Sequence, residues 1–217
     1  MAGMIDADDS QFRRLSSGGK FRRRDLTPMA QDRMLEIAWY LFEQNPFARR
    51  LITMMTDLVV GEGVGVEAEE PKILAAAEKV WNHPINRIGD RSRELHNALA
   101  LNGEIILPVA VNDVSGVPTI GYIDPYQVDD IEHRPDNVLV PSFVRLKKQP
   151  GESEARRIPI IQENPLTGQL EGECFYYAIN KLPNSLRGRS DLLALADWLD
   201  LFDQYMFAEV ERVRLLS

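Results

Sequence analysis

Apolar residues in the first hundred positions recur every three or four residues, and beyond Asn102-Gly103 the recurrence gives way to short alternating or continuous runs. The first pattern predicts helices and the second predicts strands. Thr27-Pro28 and Asn45-Pro46 each set a capping side chain before a proline, which is well tolerated at the first helical position because its missing N–H would be unpaired there. Met34, Ile37, Ala38, Leu41 and Phe42 share one face of the first predicted helix. In the second, Phe47, Leu51, Met55 and Leu58 form the stripe, widened by Ile52 and Val59. The glycine-rich GEGVGVEAEEP ends that helix, Pro71 opens a third through Val80 and Trp81, and Asp90 is expected to cap a fourth reaching about Leu101.

EIILPVAV, TIGYI, VLVPSFVRLKK, RIPIIQ and ECFYYAI then read as extended segments, with NDVSGVP and ENPLTGQLEG as turns. The stretch DPYQVDDIEH reads as a solvated acidic loop. Leu192, Leu195, Leu199, Phe202, Met206, Val210 and Val213 fall on one face of a final long helix, flanked by Trp198 and Tyr205, with Ser190 as its expected N-cap. Helices first, strands in the middle and a long amphipathic helix last predict an α+β fold with a mainly antiparallel β region.

Charge changes this picture at one end. The net charge is −8, yet residues 1–25 hold six bases (Arg13, Arg14, Lys20, Arg22, Arg23, Arg24) and four acids, a net +2 that leaves −10 on the remainder. With few apolar residues to repay ordering, 1–25 reads as a flexible basic arm, either a solvated tail, as charge runs usually are, or a polybasic contact to nucleic acid or an acidic partner, and 26–217 as the folded domain. The acidic remainder repels DNA phosphates, which argues against tight duplex binding and suits a surface past which DNA slides. No apolar run approaches the roughly 20 residues needed to cross a bilayer, so a soluble chain is expected. The single cysteine, Cys174, excludes an intramolecular disulfide and a Cys-rich zinc site.

Candidate chemistry is sparse. Gly61, Gly63 and Gly65 follow a helix instead of a strand, so they do not form a dinucleotide fingerprint. Asp124, Asp129, Asp130, Glu132 and His133 have the ligand types for a hard metal, but neighbouring acids on a strand point to opposite faces. His83, His96 and His133 are widely spaced, and neither a Walker A loop nor a GxSxG elbow is present. No catalytic, cofactor-binding or metal residue is therefore assigned.

NPFARRLITMMTDLVVGEGVGVEA (Asn45 to Ala68) and LRGRSDLLALADWLDLFDQYMFAEVER (Leu186 to Arg212) resemble segments of the portal proteins of tailed bacteriophages. IDPYQVDDI (Ile123 to Ile131) is similar to a loop of that family in the same order. The resemblance implies the wing-like part of a subunit in a ring, usually dodecameric, at one capsid vertex. DNA passes through such a ring without sequence-specific binding. It further implies docking of the terminase large subunit, head-tail connector and scaffold or capsid proteins, a place in the virion and in the host cytoplasm during assembly, no membrane contact and no catalysis.

Arg187, Gly188, Arg189, Asp191, Trp198, Phe202 and Met206 would lie at the subunit interface. Family members continue into stem, clip and crown, so the chain is expected to be a truncated or partial portal subunit. Two other readings stand beside this one. A nucleic-acid-binding regulator would use the basic arm with Arg33 to Phe42 and Pro46 to Val60, and a metal-dependent hydrolase would use Asp124, Asp129, Asp130 and His133.

Overall fold

The structure, a computed structural model, describes residues 28–135, 137–151, 154–164, 167–181 and 185–216. Thr27 and the basic arm lie outside the described residues. Four helices come first: α1 (Pro28–Gln44), α2 (Pro46–Val60), α3 (Pro71–Trp81) and α4 (Ile88–Asn102). Strands β1 (Glu104–Val111), β2 (Pro118–Ile120), β3 (Val128–Arg134), β4 (Asn137–Leu146), β5 (Arg157–Pro159), β6 (Gln162–Glu163), β7 (Leu170–Glu171) and β8 (Cys174–Ala178) follow. A last helix, α5, spans Ala196–Leu216. The fold is α+β.

All strand pairs within the sheets are antiparallel, in the orders β2-β1-β8, β3-β4-β5 and β6-β7. The two larger sheets enclose one apolar core built on Ile106, Val128, Ile131, Val144, Ile158 and Cys174. A second core lies among the helices, where Ile37 and Leu41 of α1, Ala48 and Ile52 of α2, and Ala100 and Leu101 of α4 meet Leu192, Ala196 and Leu199. The segment 185–190 runs between them: Leu186 belongs to the sheet core and Leu192 to the helical one.

Local signals hold where they are strong. Asn45 caps α2 by accepting from the Phe47 and Ala48 amides, each at 2.9 Å, and Gly61 closes it with φ 56°. The expected second-helix stripe is displaced by one position. Ala48, Ile52, Thr56 and Val60 are buried, whereas Phe47, Met55, Leu58 and Val59 are exposed. Small Ala48 and Thr56 allow a close approach to the neighbouring helices, and the Thr56 hydroxyl has polar partners inside, 3.1 Å from Ile52 O and 2.8 Å from His96 Nδ1. Apolar volume alone did not choose the face.

Three further expectations are corrected. Asp90 sits in the first turn of α4, where it pairs with Arg87 at 3.1 Å, because Arg87 in the left-handed region starts that helix three residues earlier than an Asp90 cap would. DPYQVDDIEH is a short 3-10 turn, capped by Asp124, followed by β3. The final helix begins at Ala196 and not at Ser190. Asp191 N donates to Ala100 O at 2.9 Å, which pins residues 190–195 to the end of α4 as tight turns with bonds three residues apart.

Candidate functional site

The Arg187-Gly188-Arg189-Ser190 loop places two polar side chains, Arg187 and Ser190, in the interior. Glu104, the first residue of β1, stands on the same strand face as Ile106 and is wholly buried. Arg187 is 5% exposed and faces it, with Nε 2.9 and 3.0 Å from the two carboxylate oxygens and Nη2 2.6 Å from Oε1. The Pro125 carbonyl accepts from the same Nη2 at 3.4 Å, and the Val128 carbonyl accepts from Nη1 at 3.5 Å. The Tyr176 hydroxyl lies 2.8 Å from Glu104 Oε2 and 2.6 Å from Leu186 O. Burial works against the charge of Arg187, but the adjoining carboxylate outweighs it and holds the guanidinium more firmly protonated than usual.

Glycine at 188 is required by the approach of two backbones. A Cβ there would overlap the Gly103 carbonyl, and one at Gly103 would overlap the Arg189 backbone. The loop is tied to α1 as well, since Gln31 Nε2 donates to Gly188 O at 3.0 Å. The Arg187 guanidinium thus pairs with a carboxylate of its own chain. Arg187 and Gly188 are both buried, and their partners come from β1 and α1 of the same molecule. Asp191 is half-buried and accepts from Asn180 Nδ2 at 2.5 Å.

Trp198, Phe202 and Met206 are on the surface of α5. Phe202 touches the body edge-on through Phe47, with ring centroids 5.0 Å apart, and Asn45 Nδ2 donates to Asp203 at 2.6 Å. Beyond Asp203 the helix continues with Tyr205, Met206, Phe207, Val210 and Val213 all exposed. The loop and the helix are therefore two different features: one locks the two cores together and the other offers an uncovered apolar surface.

The acidic residues of β3 are balanced by side chains. A register shift between Val128 and Asp130 lets both Asp129 and Asp130 reach Arg145, at 2.8 and 3.5 Å, which simple strand alternation would forbid. Glu132 meets Arg145 at 3.6 Å and also pairs with Arg157. Asp124 caps the turn before β3, whereas His133 lies near its far end against Arg134 O, so the residues proposed for a hydrolase do not converge. Among the described residues no group of three or more His, Cys, Asp or Glu is placed to hold a metal ion. No described helix is long and apolar enough to cross a membrane.

Cys174 is fully buried, and burial followed by the nearby Glu173 pushes its thiol up to about 11. The thiol is expected to react with iodoacetamide only as fast as the chain opens. Because its folded value lies above the unfolded one, this group supports stability fully below about pH 9, and that contribution fades as pH rises toward 11. Labelling rates that follow the free thiolate, without dependence on denaturant, would refute this placement.

Sequence reasoning missed Glu104, Tyr176 and Gln31. The available signal for Glu104 was a charged residue opening an otherwise apolar strand. Neither family models nor curated protein sequences give a match to the chain.

Proposed function

We propose that the chain is a non-enzymatic structural subunit of a ring of the phage portal type, surrounding a DNA passage and offering a platform for terminase and head-tail connector proteins. The observation that carries this reading is α5. Its 21 residues extend about 31 Å at 1.5 Å per residue, and its root is held by Ala196 and Leu199. Past Asp203 the rest of its apolar stripe stays open to solvent in the single chain. A contiguous uncovered surface of this kind marks an association site.

Side-to-side contact between unlike faces of neighbouring copies generates rings when the rotation closes, which is the geometry a portal needs. The net −8 of the chain suits a channel wall that does not grip DNA phosphates. The arginine-clamped carboxylates of β3 fit a body without hydrolytic chemistry.

Native mass spectrometry of the full chain should show a concentration-dependent closed oligomer. Met206→Asp with Val210→Asp should shift it to monomer by at least ten-fold in the midpoint of association, with the circular dichroism spectrum unchanged. Each apolar side chain covered in a contact contributes roughly 1.5–3 kcal/mol, so two suffice for that shift. A chain that stays monomeric at high concentration, with α5 strongly protected from hydrogen exchange, would refute the reading.

A further inference from the structure

An aromatic groove lies between α1, α4 and the turn before β3, away from the α5 surface. It consists of two clefts of about 270 and 310 Å³ that share Trp39 and Asp124. Each is at or below the lower end of small-molecule pockets, about 300–1,000 Å³, and matches a single side chain better than a cofactor. Trp39 is fixed by donating Nε1 to Asn102 Oδ1 at 2.9 Å, and Asn102 in turn donates to the Tyr122 hydroxyl at 3.0 Å. Tyr126 donates to Glu36 at 3.1 Å. The groove therefore presents three held aromatic rings.

The occupant is indicated by charge. Glu36, Glu94 and Asp124 line the clefts against one base, Arg91. Asp124 Oδ1 accepts from the Tyr126 amide as its cap and Glu36 Oε1 from the Tyr126 hydroxyl, so both carboxylates are held at the rim of the groove with a second oxygen not engaged by these bonds. The same wall already holds one cation: Lys147 Nζ is 4.4 Å from the Tyr126 ring centre and 2.6 Å from Asp32. The Tyr122 hydroxyl holds its proton more tightly than usual, its pKa pushed up to about 12 by burial and then by Asp124, as expected in a negative field.

Reach supports a local source for the ligand. The groove follows α1 from Asp32 to Trp39, about 6–16 Å from Pro28 along the helix. Lys20 to Arg24 precede Pro28 by four to eight residues, a span of up to about 13–26 Å when extended. We propose that this groove receives the chain's own basic segment Lys20–Arg24, one arginine or lysine entering beside Trp39 and Tyr122 with Asp124, Glu94 and Glu36 as counter-charges. A segment too polar to build a core of its own can still dock on a preformed one. Tethering supplies a high effective concentration, so a weak contact suffices. Salt or a competing polyanion would release the segment.

The test uses the full chain with the photo-crosslinker p-benzoylphenylalanine in place of Phe21, irradiated and mapped by mass spectrometry. Crosslinks within one chain to 32–39, 91–98 and 122–126 are expected. Their yield should fall about five-fold in Glu94→Gln with Asp124→Asn, in Arg22→Ser with Arg23→Ser and Arg24→Ser, and in about 1 M salt. Asn at 124 keeps the capping oxygen and Gln at 94 keeps the helix, so unchanged circular dichroism confirms folding. Crosslinks scattered over the surface, crosslinks only between chains, or groove crosslinks indifferent to all three changes would overturn the proposal.

Discussion

Arg187→Met is expected to lower stability by about 3–5 kcal/mol, because it leaves the Glu104 carboxylate fully buried without its counter-charge. Glu104→Gln should be costly in the mirror sense, stranding a guanidinium that is itself 5% exposed. The double variant Glu104→Gln with Arg187→Met should recover most of the loss, since neither charge remains, and a double-mutant cycle by urea denaturation measures that coupling directly. Arg187→Lys should not rescue. One ammonium cannot reach both carboxylate oxygens and the Pro125 and Val128 carbonyls with a planar fork. A single-variant loss below about 1 kcal/mol would mean that the pair is hydrated or rearranges easily, and that the loop does not lock the two cores.

Gly188→Ala should be nearly as damaging, at about 3 kcal/mol or more, for a reason that has nothing to do with charge. The added methyl meets the Gly103 carbonyl, and neither backbone can rotate away because each is held by its own hydrogen bonds: Ile179 N donates to Gly103 O at 2.8 Å, and Gln31 holds Gly188 O. Gly116→Ala is the matched control. Its φ of 64° carries a left-handed penalty of about 1–2 kcal/mol, but an added Cβ there meets nothing within 4 Å. Thermal unfolding of the two variants should therefore separate steric overlap from backbone preference. Equal losses would show that residues 103 and 188 do not approach as described.

These two expectations concern a loop whose residue types were conspicuous in the sequence and whose role was not. Arg187 stood out as a glycine-flanking arginine before an apolar stripe, but its partner is 83 residues away on a strand. A guanidinium has the same local pattern whether it meets a carboxylate of a neighbour or one of its own chain. The apolar stripe from Leu192 to Val213 was legible by periodicity, yet of its residues Leu192, in the turns before α5, and Leu199, in its first turn, are buried, while Leu195, Phe202, Met206, Val210 and Val213 are exposed. Periodicity measures how apolar a helical face is and carries no information on whether another surface covers it. The groove beside Trp39 was not legible at all, since α1, α4 and the turn before β3 contribute to it from separate places in the chain.

What the sequence by itself determined was the order and type of the elements: the Asn45 cap, the Gly61 stop, the helix opened by Pro71, the change from helices to strands after Gly103, and the α+β class. Caps, turns and apolar periodicity act over four or five residues, so they are written where they operate. Only the tertiary structure decided which face of α2 is buried, where α5 starts, how Asp129 and Asp130 share Arg145, and that Arg187 closes on Glu104. Each of these turns on two segments distant in the chain being brought within a few ångströms. There, side-chain volume and the need to pair every buried polar group select one arrangement among several that local preference leaves open.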